Sequence, residues 1–213
     1  MVRVWQEDDP KAALMAGKRK LIVEAALRSF LDEGYAESSV NRIAAEAGVS
    51  IKTLYRHFDS KDDLFSAVME AACADGAAET SDEPAWLAEP PPTGLALAGE
   101  DYLRHALSVD QLALYRVVMQ DAHRFPELGR RYRDEIVGRR AALFARYLDR
   151  WLPSTGWKVA DWEAAGAVFE GLLKAGLFDE LLQGGPQPDE AEIIRRAGDA
   201  AARLQTLFEA RLL

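Results

Sequence analysis

The chain has 213 residues, with 26 lysines and arginines against 35 aspartates and glutamates, so its formal net charge is −9 at pH 7. At 49% hydrophobic and 29% charged residues it has a globular composition for one or two domains, which excludes a collagen-like, low-complexity or disordered acidic chain. One cysteine, Cys73, excludes a disulfide framework and a cysteine-rich zinc site. No apolar run approaches the ~20 residues of a membrane helix, and the acidic start is not a signal peptide, so we expect a cytoplasmic protein without a membrane partner.

The negative charge is unevenly distributed along the chain. Residues 71–213 hold 16 basic and 23 acidic side chains, whereas residues 18–61 hold eight basic and six acidic ones. Nucleic acid is a polyanion, so a net charge of −9 disfavours it as a partner. Because the 18–61 segment is slightly basic, however, the overall charge does not exclude nucleic acid as a partner of that segment.

Apolar residues recur with a helical period throughout, and no stretch alternates as a strand does, so the predicted fold is all-α. A first amphipathic helix is expected from about residue 18 to 33, with Gly34 as its C-cap glycine. Another helix is expected after Ser60, with a buried stripe formed by Leu64, Phe65, Val68, Met69 and Ala72.

Two very short helices lie between these longer ones. The first begins at Ser38 or Ser39 and ends at Gly48, and the second runs from about residue 51 to 58 with Ser50 as its N-cap. Short helices joined by a tight glycine turn cross steeply, which predicts a helix-turn-helix.

The second short helix has the side chains that a DNA-reading helix needs near its N-terminal end. Its predicted outward residues are Ile51, Lys52, Thr53, Tyr55, Arg56 and His57. Lysine, threonine, tyrosine and histidine are suitable partners for phosphates, and the first three residues are placed to reach base edges or a thymine methyl group. Leu54 and Phe58, four residues apart, are expected to point inward. The alternatives are that Tyr55 and His57 only pack against the domain and that Arg42 is a solvated surface charge.

This part of the chain resembles the TetR family of bacterial transcription regulators. The resemblance rests on the turn Ile43-Ala44-Ala45-Glu46-Ala47-Gly48-Val49-Ser50, on Thr53-Leu54-Tyr55-Arg56-His57-Phe58, and on Ser60-Lys61-Asp62-Asp63-Leu64. It implies a homodimer whose subunits each have a three-helix DNA-binding head and a larger helical body that senses a ligand. By position, the implied DNA-binding residues are Ser39, Val40, Arg42, Ser50, Ile51, Lys52, Thr53, Tyr55, His57 and Lys61.

The resemblance also implies a domain order and a function. We expect a flexible N-terminal arm over residues 1–17, a helix-turn-helix domain over 18–66, and a ligand-binding and dimerisation domain over 67–213. The expected function is that of a repressor, which binds a palindromic operator in double-stranded DNA as a dimer and is released by a small, apolar effector. The alternative is a DNA-binding regulator without small-molecule input, either controlled by a protein partner or architectural.

The body is predicted to contain longer helices over residues 93–107, 110–122, 126–151, 159–182 and 189–211. Trp86 and Leu87, before the first of them, are expected to pack onto the core. A small-molecule site needs an apolar pocket with a few polar groups. The candidate ligand-binding residues are Tyr102, His105, Tyr115, Met119, His123, Phe144, Trp162 and Phe169. The alternative for each of them is an ordinary place in the core.

The last two predicted helices carry many small residues, among them Gly166, Gly171 and Gly198. Small residues let helices approach closely, so two such helices from each subunit are expected to form a four-helix dimer interface. Packing within one subunit is the alternative. No catalytic motif is present, and three histidines with one cysteine are a poor ligand set for a metal, so no enzyme, cofactor or metal is expected.

Overall fold

The computed structural model describes residues 10–74 and 83–213, and side chains within residues 14–71 and 83–213. In these ranges the fold is all-α without strands, as the sequence predicts. No helix among the described residues is long and apolar enough to cross a membrane. The chain divides into two compact units, the first formed by Met1–Asp75 with Ala113–Ile136 and the second by Gly76–Leu112 with Val137–Leu213.

Eleven α-helices are found within the described ranges. In chain order they are α1 (Pro10–Glu37), α2 (Val40–Glu46), α3 (Ile51–His57), α4 (Lys61–Ala74), α5 (Thr93–Ala106), α6 (Val109–Asp121), α7 (Pro126–Tyr132), α8 (Gly138–Thr155), α9 (Trp162–Lys174), α10 (Leu177–Leu182) and α11 (Glu190–Glu209). A short 3₁₀ helix (Ala85–Ala88) precedes α5, and a π-helical stretch (Arg133–Val137) joins α7 to α8.

Two helices differ from the sequence-based expectation. Helix α1 begins at Pro10 rather than near Lys18, because proline is favourable in the first turn and the alanines and leucine that follow favour a helix without forming an amphipathic stripe. The first nine residues of the expected arm lie outside the described residues. The single helix expected over 159–182 is two, α9 and α10, because Gly176 takes a φ of +82° that a continuing helix does not allow.

The first unit is organised around an aromatic cluster. The rings of Phe30, Tyr35, Phe65 and Phe125 lie with centroids 5.2–5.5 Å apart, and all but Phe125 are buried. Gly34 ends the regular part of α1 as predicted, with a φ of +80° that favours glycine. The turn after it is held by the buried Asp121 carboxylate of α6, which accepts the Ala36 backbone N–H at 3.0 Å.

The second unit packs α5 against α11 and α9. Gly99 makes this close approach possible, since a Cβ atom there would lie 3.0 Å from Leu173 and 3.1 Å from Ala197. Trp86 and Leu87 are buried, which confirms their expected packing onto the core. The Trp86 ring lies 5.8 Å from that of Tyr147, whose side chain is fully buried.

Candidate nucleic-acid interface

A tight turn joins α2 to α3. The Gly48 N–H donates to the Ala45 carbonyl at 3.1 Å, and the Val49 N–H donates to the Ala44 carbonyl at 2.9 Å. Ser50 is the N-cap of α3 as predicted, and its Oγ accepts the Thr53 N–H at 3.1 Å. These bonds satisfy backbone groups that the ends of two short helices would otherwise leave unpaired.

Helix α3 has an inward and an outward face. Leu54 is 1% exposed, and Phe58, the C-cap residue of α3, is 4% exposed. Both residues therefore point inward, as predicted. Of the predicted outward residues, Ile51, Lys52, Tyr55 and Arg56 are exposed, whereas Thr53 and His57 are half-buried. A side chain can reach a DNA groove only from a face that the domain leaves open, and α3 offers such a face over its whole length.

The start of α2 lies beside this face in sequence. Ser39 is exposed at the N-cap position of α2 but makes no side-chain capping bond, and Val40 is half-buried against the core. Arg42 is exposed and forms ion pairs with Glu33 and, at 3.6 Å, with Glu46. A phosphate could pair with Arg42 only in competition with both carboxylates.

Lys61, at the start of α4, has a structural role that the sequence does not predict. Its ammonium group donates to the carbonyls of Tyr35, Ala36 and Ser38, the last at 2.7 Å, and lies 4.5 Å from the centre of the Tyr35 ring. An ammonium group has three N–H donors, so these carbonyls use all of them. Burial lowers the pKa of Lys61, against the opposing charges of nearby carboxylates.

Basic side chains from two helices surround His57. The Arg19 guanidinium of α1 lies 4.8 Å from the centre of the Phe58 ring, and Arg56 reaches back to the Met15 sulfur at 3.5 Å. Burial lowers the pKa of His57, and the charges of Arg56, Arg19 and Lys18 lower it further. The start of α1 and the end of α3 therefore form one basic surface, to which Arg19 and Arg56 contribute.

The predicted ligand-binding residues are divided between the two units. Tyr115, Met119 and His123 belong to the first unit, where Met119 is 53% exposed, His123 is exposed, and the Tyr115 ring packs against Tyr132 at 5.9 Å. Trp162, the first residue of α9, is 45% exposed. Met119, His123 and Trp162 were expected to line an interior pocket. In the structure each of these side chains is exposed on the surface of the chain.

The other four predicted residues lie in the second unit. Phe144 of α8 and Phe169 of α9 are buried and stacked, with ring centroids 5.6 Å apart. The Tyr102 hydroxyl donates to Glu170 at 2.7 Å, and the Arg140 guanidinium lies 4.8 Å from the centre of the Tyr102 ring. His105 is half-buried, and its pKa falls to about 4 because of burial and the nearby charge of Arg140. Sequence reasoning missed Arg140 and Glu170, because charged residues on amphipathic helices usually face solvent.

Comparison with known proteins places both parts of the chain in one family. The family model "Bacterial regulatory proteins, tetR family" matches residues 22–68, and the model "AefR-like transcriptional repressor, C-terminal domain" matches residues 93–206, more than half of the chain. An HTH-type transcriptional regulator of Staphylococcus aureus strain USA300 is 46% identical over 52 residues, which are 24% of this chain and 28% of that protein.

Solved structures are similar over nearly the whole chain. A TetR-family regulator from Mesorhizobium loti has a TM-score of 0.69 at 24% identity and covers 91% of this chain and 97% of its own. The flavonoid-responsive regulator FrrA has a TM-score of 0.75 at 23% identity, with 89% and 95% covered. With the family models matching residues 22–68 and 93–206, the chain belongs to the TetR family of DNA-binding transcriptional regulators.

Proposed function

We propose that the protein is a cytoplasmic repressor that binds a palindromic operator as a homodimer and leaves it when a small molecule binds the second unit. The observation that carries the DNA-binding part is the outward face of α3, which exposes Lys52, Tyr55 and Arg56 while Leu54 and Phe58 are buried on the other side. Cationic and hydroxyl-bearing side chains hold phosphates, and the N-terminal residues of such a helix read bases.

A homodimer through α9 and α11 is the second part of the proposal. Gly171 and Gly198 support it, because a Cβ atom at either position would meet nothing within 4 Å in the single chain. Ile194 on α11 and Trp162 on α9 are large apolar side chains that are 48% and 45% exposed. A second copy would cover small and apolar surface of this kind, and two-fold symmetry would then require a palindromic operator.

Control by a small molecule is the third part. In the second unit Phe144 and Phe169 are buried and stacked, and Tyr102 and His105 are half-buried polar side chains; small-molecule sites combine aromatic and polar groups of these kinds. FrrA, a protein of the same fold, is described as flavonoid-responsive. A ligand can release DNA only to the extent that it binds the conformation without DNA affinity more tightly than the DNA-binding conformation. The coupling free energy between two such sites is typically about 1–3 kcal/mol.

The test begins with an operator duplex selected from random sequence by repeated binding to the full-length protein. Fluorescence anisotropy should show tight binding to the selected palindrome and much weaker binding to one half-site. A panel of small aromatic compounds should then include members that release the duplex. Binding as a monomer to non-palindromic sites would overturn the dimer proposal. Tight operator binding that no compound weakens would favour the alternative regulator, controlled by a protein partner or architectural.

A further inference from the structure

Arg140 of the second unit is a half-buried cation that forms no ion pair with the described residues. Arg140, near the start of α8, is half-buried, and its Nη2 atom is fully buried with no hydrogen-bond partner among the described residues. Its guanidinium group lies over the face of the Tyr102 ring. Other arginines of the same unit are paired, for example Arg104 with Glu100 and Glu190. A buried guanidinium N–H without an acceptor is costly, so this group points to an acceptor that the described residues do not supply.

The neighbouring carboxylate does not neutralise Arg140. Glu170 accepts hydrogen bonds from the Tyr102 hydroxyl and the Lys174 ammonium group, and it forms an ion pair with Lys174. Burial alone raises the pKa of Glu170, but these two hydrogen bonds and the charges of Lys174 and Arg140 outweigh burial, so the pKa lies below its usual value. Glu170 is therefore ionised and already paired with Lys174. The group formed by Glu170, Lys174 and Arg140 then carries one excess positive charge, that of Arg140.

Polar and aromatic groups adjoin this charge. His105 lies one turn after Tyr102 on α5 and is neutral at pH 7, since its pKa is about 4. A neutral imidazole offers one hydrogen-bond donor and one acceptor. Phe144 lies four residues after Arg140 on the same side of α8, and its ring stacks on that of Phe169. A guanidinium, a neutral imidazole and a stacked aromatic pair thus come together in one unit.

We infer that the effector of this regulator is an aromatic carboxylate, whose anionic group pairs with Arg140 and whose ring packs on Phe144 and Phe169. This inference rests on the proposed function. It replaces the apolar effector expected from the sequence with an effector that has an aromatic ring and one anionic group. A guanidinium matches a planar carboxylate in both charge and fork geometry. One excess positive charge balances a monoanion, whereas a phosphate dianion would need a second cation.

The first experiment needs no ligand. Arg140→Met keeps an unbranched apolar stem in place of the guanidinium and removes its charge, and the exposed neighbour Arg139→Met is the matched control. In thermal unfolding of the full-length protein, Arg140→Met should leave the midpoint unchanged or raise it, because an unpaired buried cation is removed. A fall of several degrees in Arg140→Met alone would mean that Arg140 supports the fold, and would overturn the inference.

The second experiment uses 1-naphthoate, 2-naphthoate, cinnamate and salicylate, each compared with its primary amide. We expect at least one acid to raise the unfolding midpoint and to release the selected operator, with its amide at least tenfold weaker. Arg140→Met should lose this response and Arg139→Met should keep it. Equal effects of acid and amide, an acid response that survives in Arg140→Met, or no response to any of the acids would each overturn the inference. If only neutral compounds released the operator, the inference would be overturned but the proposed function would be supported. If the protein bound no operator at all, the proposed function itself would fail.

Discussion

Two lysines of the DNA-binding region show how much a residue's role depends on its surroundings. Lys52 is exposed on α3, while Lys61 donates to three backbone carbonyls at the junction of α1 and α2. Both are lysines at the start of a helix, and the family resemblance places both among the DNA-binding residues. The acceptors of Lys61 lie 23–26 residues earlier in the chain, and no local pattern reveals a contact over that separation.

Lys61→Met should therefore act on stability. Three buried or half-buried carbonyls lose their donor, so we expect the free energy of unfolding to fall by about 1–3 kcal/mol. Urea unfolding of full-length protein measures this change. Lys52→Met is the control, and it should retain wild-type stability while binding the operator more weakly. Equal stability of the two variants would show that the Lys61 contacts do not support the fold.

His105 predicts a particular dependence of stability on pH. Its folded-state pKa of about 4 is below the unfolded value of about 6.5. Between these two values the unfolded chain therefore binds a proton at His105 that the folded chain does not bind. The stability that neutral His105 contributes is complete above pH ~6.5 and is lost as the pH falls towards 4. His105→Asn should flatten this part of the profile, as measured by urea unfolding at pH 7, 6 and 5. The exposed His123→Asn should keep the wild-type decline, and an identical profile in all three proteins would contradict the assignment.

At the scale of elements, the short helices were more predictable than the long ones. Gly34, Ser50 and the spacing of Leu54 and Phe58 fix the helix-turn-helix through local chemistry, and the structure has each of them where expected. The break between α9 and α10 was not predicted, since the apolar period continues on both sides of Gly176 and only the backbone angle reveals it. Arg140 was missed because charged residues on amphipathic helices usually face solvent, and because the Tyr102 ring that it contacts lies on another helix.

The N-cap of α3 gives a prediction at this scale. Ser50→Ala removes the acceptor of the Thr53 N–H, so stability should fall by about 0.5–2 kcal/mol, and operator affinity should fall because the first turn carries Ile51 and Lys52. Ser39→Ala is the matched control, because Ser39 caps α2 without a side-chain hydrogen bond. Urea unfolding and anisotropy measure the two effects. The capping account fails if the two alanine variants are equally stable.

At the scale of the whole molecule, the proposed dimer makes the open glycines of α9 and α11 important. Gly171→Trp adds bulk where the single chain has space, so the fold should survive while a second copy can no longer approach. Sedimentation equilibrium should show dimeric wild type and monomeric Gly171→Trp. The exposed Gly17→Leu on α1 is the control and should remain dimeric. A dimer in which Gly171→Trp associates as tightly as wild type would place the interface elsewhere.

The central claim is that the outward face of α3 binds the phosphates and bases of an operator, and its salt dependence tests this most directly. Anisotropy titrations between ~50 and ~200 mM salt should show the wild-type affinity falling steeply, because each neutralised phosphate releases a counterion. Lys52→Met should bind more weakly, with a slope smaller by about one per subunit. An operator affinity that does not change with salt, or a slope that Lys52→Met leaves unchanged, would contradict the claim.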